Sequence, residues 1–151
     1  MGAIMEFATE KQIASFLSSC RIEGQKNFLM AFKKKTWLKS FIDFFIIGGS
    51  YYVQSSVKPK ILAFTPKGIY LMDISDVTEN RSNQVFEMSW DDVKDFTYQT
   101  VLNTVRFNWH YQNEDYIFSV DVGQVSQRVG QYQFNKEHYD NLAQQDFFQS
   151  K

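Results

Sequence analysis

From Lys60 to Val122 the chain reads as short runs rich in apolar and aromatic residues, several of them alternating with polar ones, separated by turn residues. A side-chain period of two keeps the apolar residues together only on a half-buried strand. Lys60-Ile-Leu-Ala-Phe-Thr and Ile69-Tyr-Leu-Met-Asp-Ile flank Pro66-Lys67-Gly68, a tight turn in which Pro presets one dihedral and Gly is expected to supply a positive φ. Phe86, Met88 and Trp90 alternate in a further strand, and Phe96 to Leu102 makes another. After Asn103-Thr104, the residues Val105, Phe107, Trp109 and Tyr111 share one face. Gln112-Asn113-Glu114-Asp115 then turns the chain into Tyr116, Phe118, Val120 and Val122. Upstream, Phe28, Met30 and Phe32 alternate within residues 27–33. The sequence thus predicts seven strands, mostly in hairpin succession, forming an antiparallel sheet curled into a sandwich or barrel.

Helical signals bracket the strands. Thr9-Glu10-Lys11-Gln12 reads as a capping box, in which the Thr hydroxyl and the Gln side chain satisfy backbone donors reciprocally. Ile13, Phe16, Leu17 and Cys20 follow at helical spacing, and Gly24 ends the segment. Near the other end, Asn135 is expected to cap a helix entering Lys136-Glu137-His138, with Phe134 stapled onto Tyr139. Tyr139, Leu142 and Phe147 or Phe148 continue a stripe able to plug an open end of the sheet.

Composition limits the function classes. A chain of 151 residues reads as one domain with a real core, and an aromatic content of 17% favours sheet over an all-helix bundle. Net charge is −1, so no global field draws the protein to nucleic acid, and none is expected as a partner. The charge is uneven along the chain: residues 1–60 hold nine basic and four acidic residues, whereas residues 61–151 hold seven and thirteen. Cys20 is the sole cysteine, which excludes an intrachain disulfide and a cysteine metal cluster, and it reads as a small core residue. The N-terminal residues lack the pattern of a secretory signal, so a cytoplasmic protein is expected.

The stretch AFKKKTWLKSFIDFFIIGGSYY, residues 31–52, departs from the strand pattern. Read as a helix at about 100° per residue, Trp37, Leu38, Phe41, Ile42, Phe44, Phe45 and Ile46 cover an arc of roughly 200°. Lys39, Ser40 and Asp43 fall on the remaining side, and Gly48-Gly49 supplies a stop. A helix from about Thr36 to Ile47 is therefore expected between the first two strands. Its wide apolar arc has three readings: domain core, a self-association or partner surface, or a membrane-interface element with lysines over anionic head groups. The candidate surface comprises Lys33, Lys34, Lys35, Trp37, Lys39, Phe41, Phe44 and Phe45.

Catalytic constellations find little support. His110 lies on a strand, alternating with the apolar face, and His138 falls in the first turn of the closing helix; neither has a second ligand nearby in sequence. Asp91, Asp92 and Asp95 form the densest acidic group, and at a turn between strands they are expected to cap and solvate the chain. Gly48-Gly49 lacks the Lys-Ser/Thr that follows in a phosphate-cradling loop. The Phe107/Trp109/Tyr111 face has Arg106 as its nearby base and acids on the next hairpin, so it reads as core rather than a base-stacking platform. No catalytic residue, metal or cofactor is expected.

Seven strands followed by one amphipathic helix resembles the pleckstrin-homology (PH) superfold. Locally, KILAFTPKGIYLMDIS is similar to the second hairpin of bacterial PH-like domains, FEMSWDDVKDFTYQ to their strand, acidic turn and next strand, and FNKEHYDNL to the start of their closing helix. The resemblance spans residues 27–148, with residues 1–24 as an N-terminal helical extension of a single domain. It implies an α+β, mainly β fold: a PH-like seven-stranded antiparallel barrel or sandwich closed by the C-terminal helix, here with the helical insertion. It also implies binding, self-association or scaffolding rather than catalysis. Inositide-binding PH domains use a K…K/R-x-R pattern around the first two strands. Lys33, Lys34 and Lys35 match its first part, and Lys58 and Lys60 are candidate anionic-ligand contacts, although the arginine is absent. The expected function is a non-enzymatic module acting on its own copy or a protein partner. The alternative is a peripheral module at the inner face of the membrane, binding anionic lipid through residues 33–47.

Overall fold

The computed structural model describes residues 8–33, 59–123 and 134–148. Their chain order is α1 (Glu10–Ser19), β1 (Phe28–Lys33), β2 (Pro59–Phe64), β3 (Gly68–Asp73), α2 (Ile74–Thr78), a short 3-10 turn (Ser82–Gln84), β4 (Phe86–Ser89), β5 (Lys94–Val101), β6 (Thr104–Tyr111), β7 (Glu114–Asp121) and α3 (Phe134–Gln144). The strands form one antiparallel sheet in the order β4-β3-β2-β1-β7-β6-β5. The expected seven antiparallel strands are thus present in an α+β fold. Barrel closure is not: β4 and β5 are the two ends of the sheet, with no ladder between them among the described residues. The helix expected over 36–47 lies outside the described residues.

The sheet nevertheless curls far enough for β4, at one end, to meet β6, the strand next to the other end, through side chains. Met88 of β4 accepts a hydrogen bond from Trp109 Nε1 of β6, at 3.3 Å. Both belong to an inner core built from alternate residues of every arm: Leu29 and Ala31, Leu62 and Phe64, Ile69, Val105, Phe107 and Trp109, Phe118 and Val120. Leu142 and Phe148 close this core from the C-terminal side. The face of Phe107, Trp109 and Tyr111 is core, as its alternation predicts, with no more than 7% of any of the three exposed.

A second core lies on the other face of β1–β3. There Phe28, Met30, Ile61, Ala63 and Met72 pack under α1 through Ile13, Phe16 and Leu17, and under α2 through Ile74 and Val77. β1 therefore buries both faces, whereas its alternation had singled out Phe28, Met30 and Phe32 alone. The N-terminal helix is a structural layer: it covers one face of three strands and supplies the apolar area that keeps them dry.

Several local expectations hold and others need correction. The capping box is formed, with Gln12 N donating to Thr9 Oγ1 at 3.1 Å and Thr9 N donating to Gln12 Oε1 at 2.9 Å. α1 ends at Ser19, so Cys20 is the C-cap and is partly exposed instead of sitting in the core. Gly68 does not supply a positive φ. A Cβ there would overlap the Met88 carbonyl, so glycine is required by the close approach of β4 to β3. Ile74 leaves the strand to start α2, where the Asp76 carboxylate accepts from Asp73 N at 2.9 Å. The β5–β6 turn falls on Leu102-Asn103, with Leu102 left-handed (φ 56°) and 93% exposed. Gln112 and Asn113 both adopt positive φ (50° and 68°), which joins two twisted strands without splaying them.

Candidate functional site

β1 lies between β2 and β7, but its two neighbours differ in how much of it they cover. It pairs with β2 from Phe28 to Phe32, yet with β7 only at Phe32 and Lys33. Backbone groups of alternate residues point to alternate sides of a strand, so Phe28 and Met30, like Phe32, direct theirs toward β7, where no strand among the described residues extends to receive them. α3 fills that gap with side chains. Asn135 is not a cap: it lies inside the first turn, is 1% exposed, and binds the β1 backbone in both directions. Met30 N donates to Asn135 Oδ1 at 2.8 Å, and Asn135 Nδ2 donates to Met30 O at 3.0 Å and to Asp121 O at 3.1 Å. One amide thus stands in for a missing strand residue and bridges to the end of β7.

One turn later on α3, His138 repeats the device. Its ring is fully buried, held edge-on to Phe28 at 4.6 Å and beside Phe134 at 5.1 Å. Phe134 thus packs into the second core, while Tyr139, the expected staple partner, stacks on Phe148 at 5.8 Å in the first. Nδ1 of His138 lies 2.8 Å from Phe28 O and Nε2 lies 2.9 Å from Glu10 Oε2. A carbonyl only accepts, so Nδ1 carries a proton and Nε2 faces the carboxylate.

Glu10, Glu137 and His138 form a cluster whose ligand-type atoms all lie within 4.8 Å of one another. Lys26 Nζ donates to Glu137 Oε2 at 2.6 Å. That hydrogen bond, followed by the charge behind it, holds the Glu137 carboxyl below its ordinary range, and Glu137 raises Lys26 in return. Both partners are well exposed, so the pair contributes little to stability. The connection from α1 to β1 is shaped by left-handed residues at Arg21, Gly24 and Lys26, and Asn141 Nδ2 donates to Lys26 O at 3.2 Å. Beneath it is a partly open cavity of about 560 Å³, whose walls include Glu10, Leu17, Ile22, Lys26 and Phe28.

The surface expected from sequence is described at its edge only. Lys33 ends β1 with its ammonium 5.4 Å from the Tyr116 ring centre, a cation–π geometry. Lys60 donates to Asp73 across the β2–β3 ladder, so its charge is already engaged. Lys34, Lys35, Trp37, Lys39, Phe41, Phe44, Phe45 and Lys58 lie outside the described residues. His110 is on the solvated side, 2.9 Å from Asp115 Oδ1, and Asp91, Asp92 and Asp95 are exposed. The structure thus does not draw the two histidines together. It joins His138 to an acid 128 residues away, which no local spacing signals.

In comparisons with family models, with curated proteins and with solved structures, nothing matched this chain.

Proposed function

We propose that this chain is a non-enzymatic, PH-like binding or scaffolding module that acts through self-association or protein partners. The observation that carries the reading is the arrangement of seven antiparallel strands followed by one amphipathic helix packed on the first strand, the order a PH-like resemblance implies. Surface features support association. The two end strands carry exposed apolar side chains, Phe86 on β4 and Val101 on β5, with Leu102 beyond it. Strand edges that carry no further ladder among the described residues, as these do, are ready templates for a second chain.

Lys33 and Pro59, the described residues on either side of 34–58, lie at one rim, because Phe32 of β1 is paired with Pro59 of β2. Beside this rim, Phe86 meets Tyr111 at 5.7 Å and Tyr116 at 6.5 Å, and Lys33 lies over Tyr116. Lys33, the first residue of the basic-aromatic segment, therefore sits at an aromatic, partly exposed margin. That placement also favours the second reading, peripheral contact with anionic lipid, while the Lys60–Asp73 pair weighs against a free inositide-binding lysine there. No helix among the described residues is long and apolar enough to cross a membrane.

Light scattering on a sizing column, with wild type and the F44D/F45D double variant, tests the proposal. The wild type is expected at a multiple of its 17.8 kDa chain mass and the folded variant at the chain mass itself. A wild type that stays monomeric and pellets with anionic vesicles in low salt moves the function to the membrane reading. A monomer that ignores vesicles sinks both self-association and lipid binding.

A further inference from the structure

We propose that Glu10, Glu137 and His138 form a binding site for a divalent transition-metal ion of the zinc type, linking α1 to α3. The inference is independent of the binding-module reading and starts from His138. Its ring is wholly buried and cannot turn, and its Nδ1–H is committed to the Phe28 carbonyl. With Nδ1 donating to that carbonyl, Nε2 faces a carboxylate oxygen 2.9 Å away, and two acceptors at that distance need a hydrogen or a cation between them. A proton meets that need, and so does a metal ion. A histidine whose far nitrogen is fixed by a backbone carbonyl is oriented as metal-ligating histidines are.

The remaining donors fit the same chemistry. Three ligand-type atoms within 4.8 Å is somewhat wider than the about 3.4 Å between neighbouring ligands of a tetrahedral zinc ion. The two carboxylates are half exposed, and small rotations close the difference, whereas the imidazole is the fixed point. Lys26 leaves Glu137 as the ion enters, and its exposed side chain swings into solvent without leaving a buried charge behind. One imidazole with two carboxylates suits zinc, while magnesium and calcium prefer all-oxygen sets. Three protein ligands with a solvent-facing side leave a fourth position open to water or to a donor from a partner.

Such an ion would join residues on the first and last described helices, so its binding energy would appear as folding stability. Calorimetric titration of zinc chloride into the metal-stripped full chain tests this, with a melting curve at each ratio. One ion per chain is expected, with Tm raised by roughly 5 °C. E10Q and E137Q keep side-chain shape at half-exposed positions, so both should fold, and each should weaken binding about 100-fold, as losing a ligand costs at least what losing its supporting partner does. H110N, at the exposed pair with Asp115, should bind zinc as wild type does. No binding heat and no Tm shift would overturn the site, leaving a proton as the bridging charge. So would binding that survives in E10Q/E137Q or disappears in H110N.

Discussion

The two halves of the sheet bury themselves differently. β6 and β7 are covered on one face: along β6 the buried residues are Val105, Phe107, Trp109 and Tyr111, and the residues between them reach solvent to varying degrees. β1 and β2 are covered on both, so Phe28 to Ala31 and Ile61 to Phe64 are unbroken buried runs. The difference comes from α1, α2 and α3, which roof β1–β3 and leave the β5–β7 arm wet on its outside. A one-sided strand announces its inward face by alternation. A two-sided strand hides it, because both sets of side chains are apolar.

The comparison predicts different failure modes for the two cores. Phe107 is fully buried in the core that all arms of the sheet share, so Phe107→Ala should cost about 3–5 kcal/mol and unfold the domain in one step. Phe16 is 4% exposed in the core under α1, and Phe16→Ala should cost less than Phe107→Ala. Its main effect should be a loosened helix, seen by hydrogen exchange as fast α1 amides over protected β6 and β7. Equal, fully cooperative losses in both variants would erase the distinction between the cores.

A smaller effect sharpens the boundary between them. Asn135 satisfies Met30 N and O at the gap between β1 and β7, and Asn135→Leu would leave both buried groups without their partner. A loss of about 2–3 kcal/mol in denaturant unfolding is expected. A loss under 1 kcal/mol would show that water or a neighbouring strand takes over the β1 edge.

The smallest effect concerns Cys20 at the exposed margin of the second core. Burial pushes its thiol up, with an opposing hydrogen bond from Ser19 that is the weaker influence. A raised thiol holds less thiolate at pH 8, so iodoacetamide should modify Cys20 more slowly than a free cysteine. The pH–rate inflection should lie above the ordinary thiol value. Modification as fast as that of a free thiol would mean that α1 opens readily and that its layer is looser than its packing indicates.

Much of the fold is legible in the sequence because the signals are local. The capping box at Thr9–Gln12, the alternation of β6 and β7, and the hairpin around Pro66 to Gly68 each depend on residues a few positions apart. Even there the reason for a residue can escape: Gly68 looks like a turn glycine, but its constraint comes from β4, more than fifteen residues later. The candidate site was not legible. Asn135 resembles a helix cap until β1, 105 residues earlier, presents Met30 to it, and His138 has no visible partner until α1 brings Glu10 across 128 residues. Period and turn chemistry act through the backbone of adjacent residues, and so are written in the chain order. Partners across the gap between β1 and β7 meet only once the sheet has curled and α3 has docked, so their geometry belongs to the tertiary structure alone.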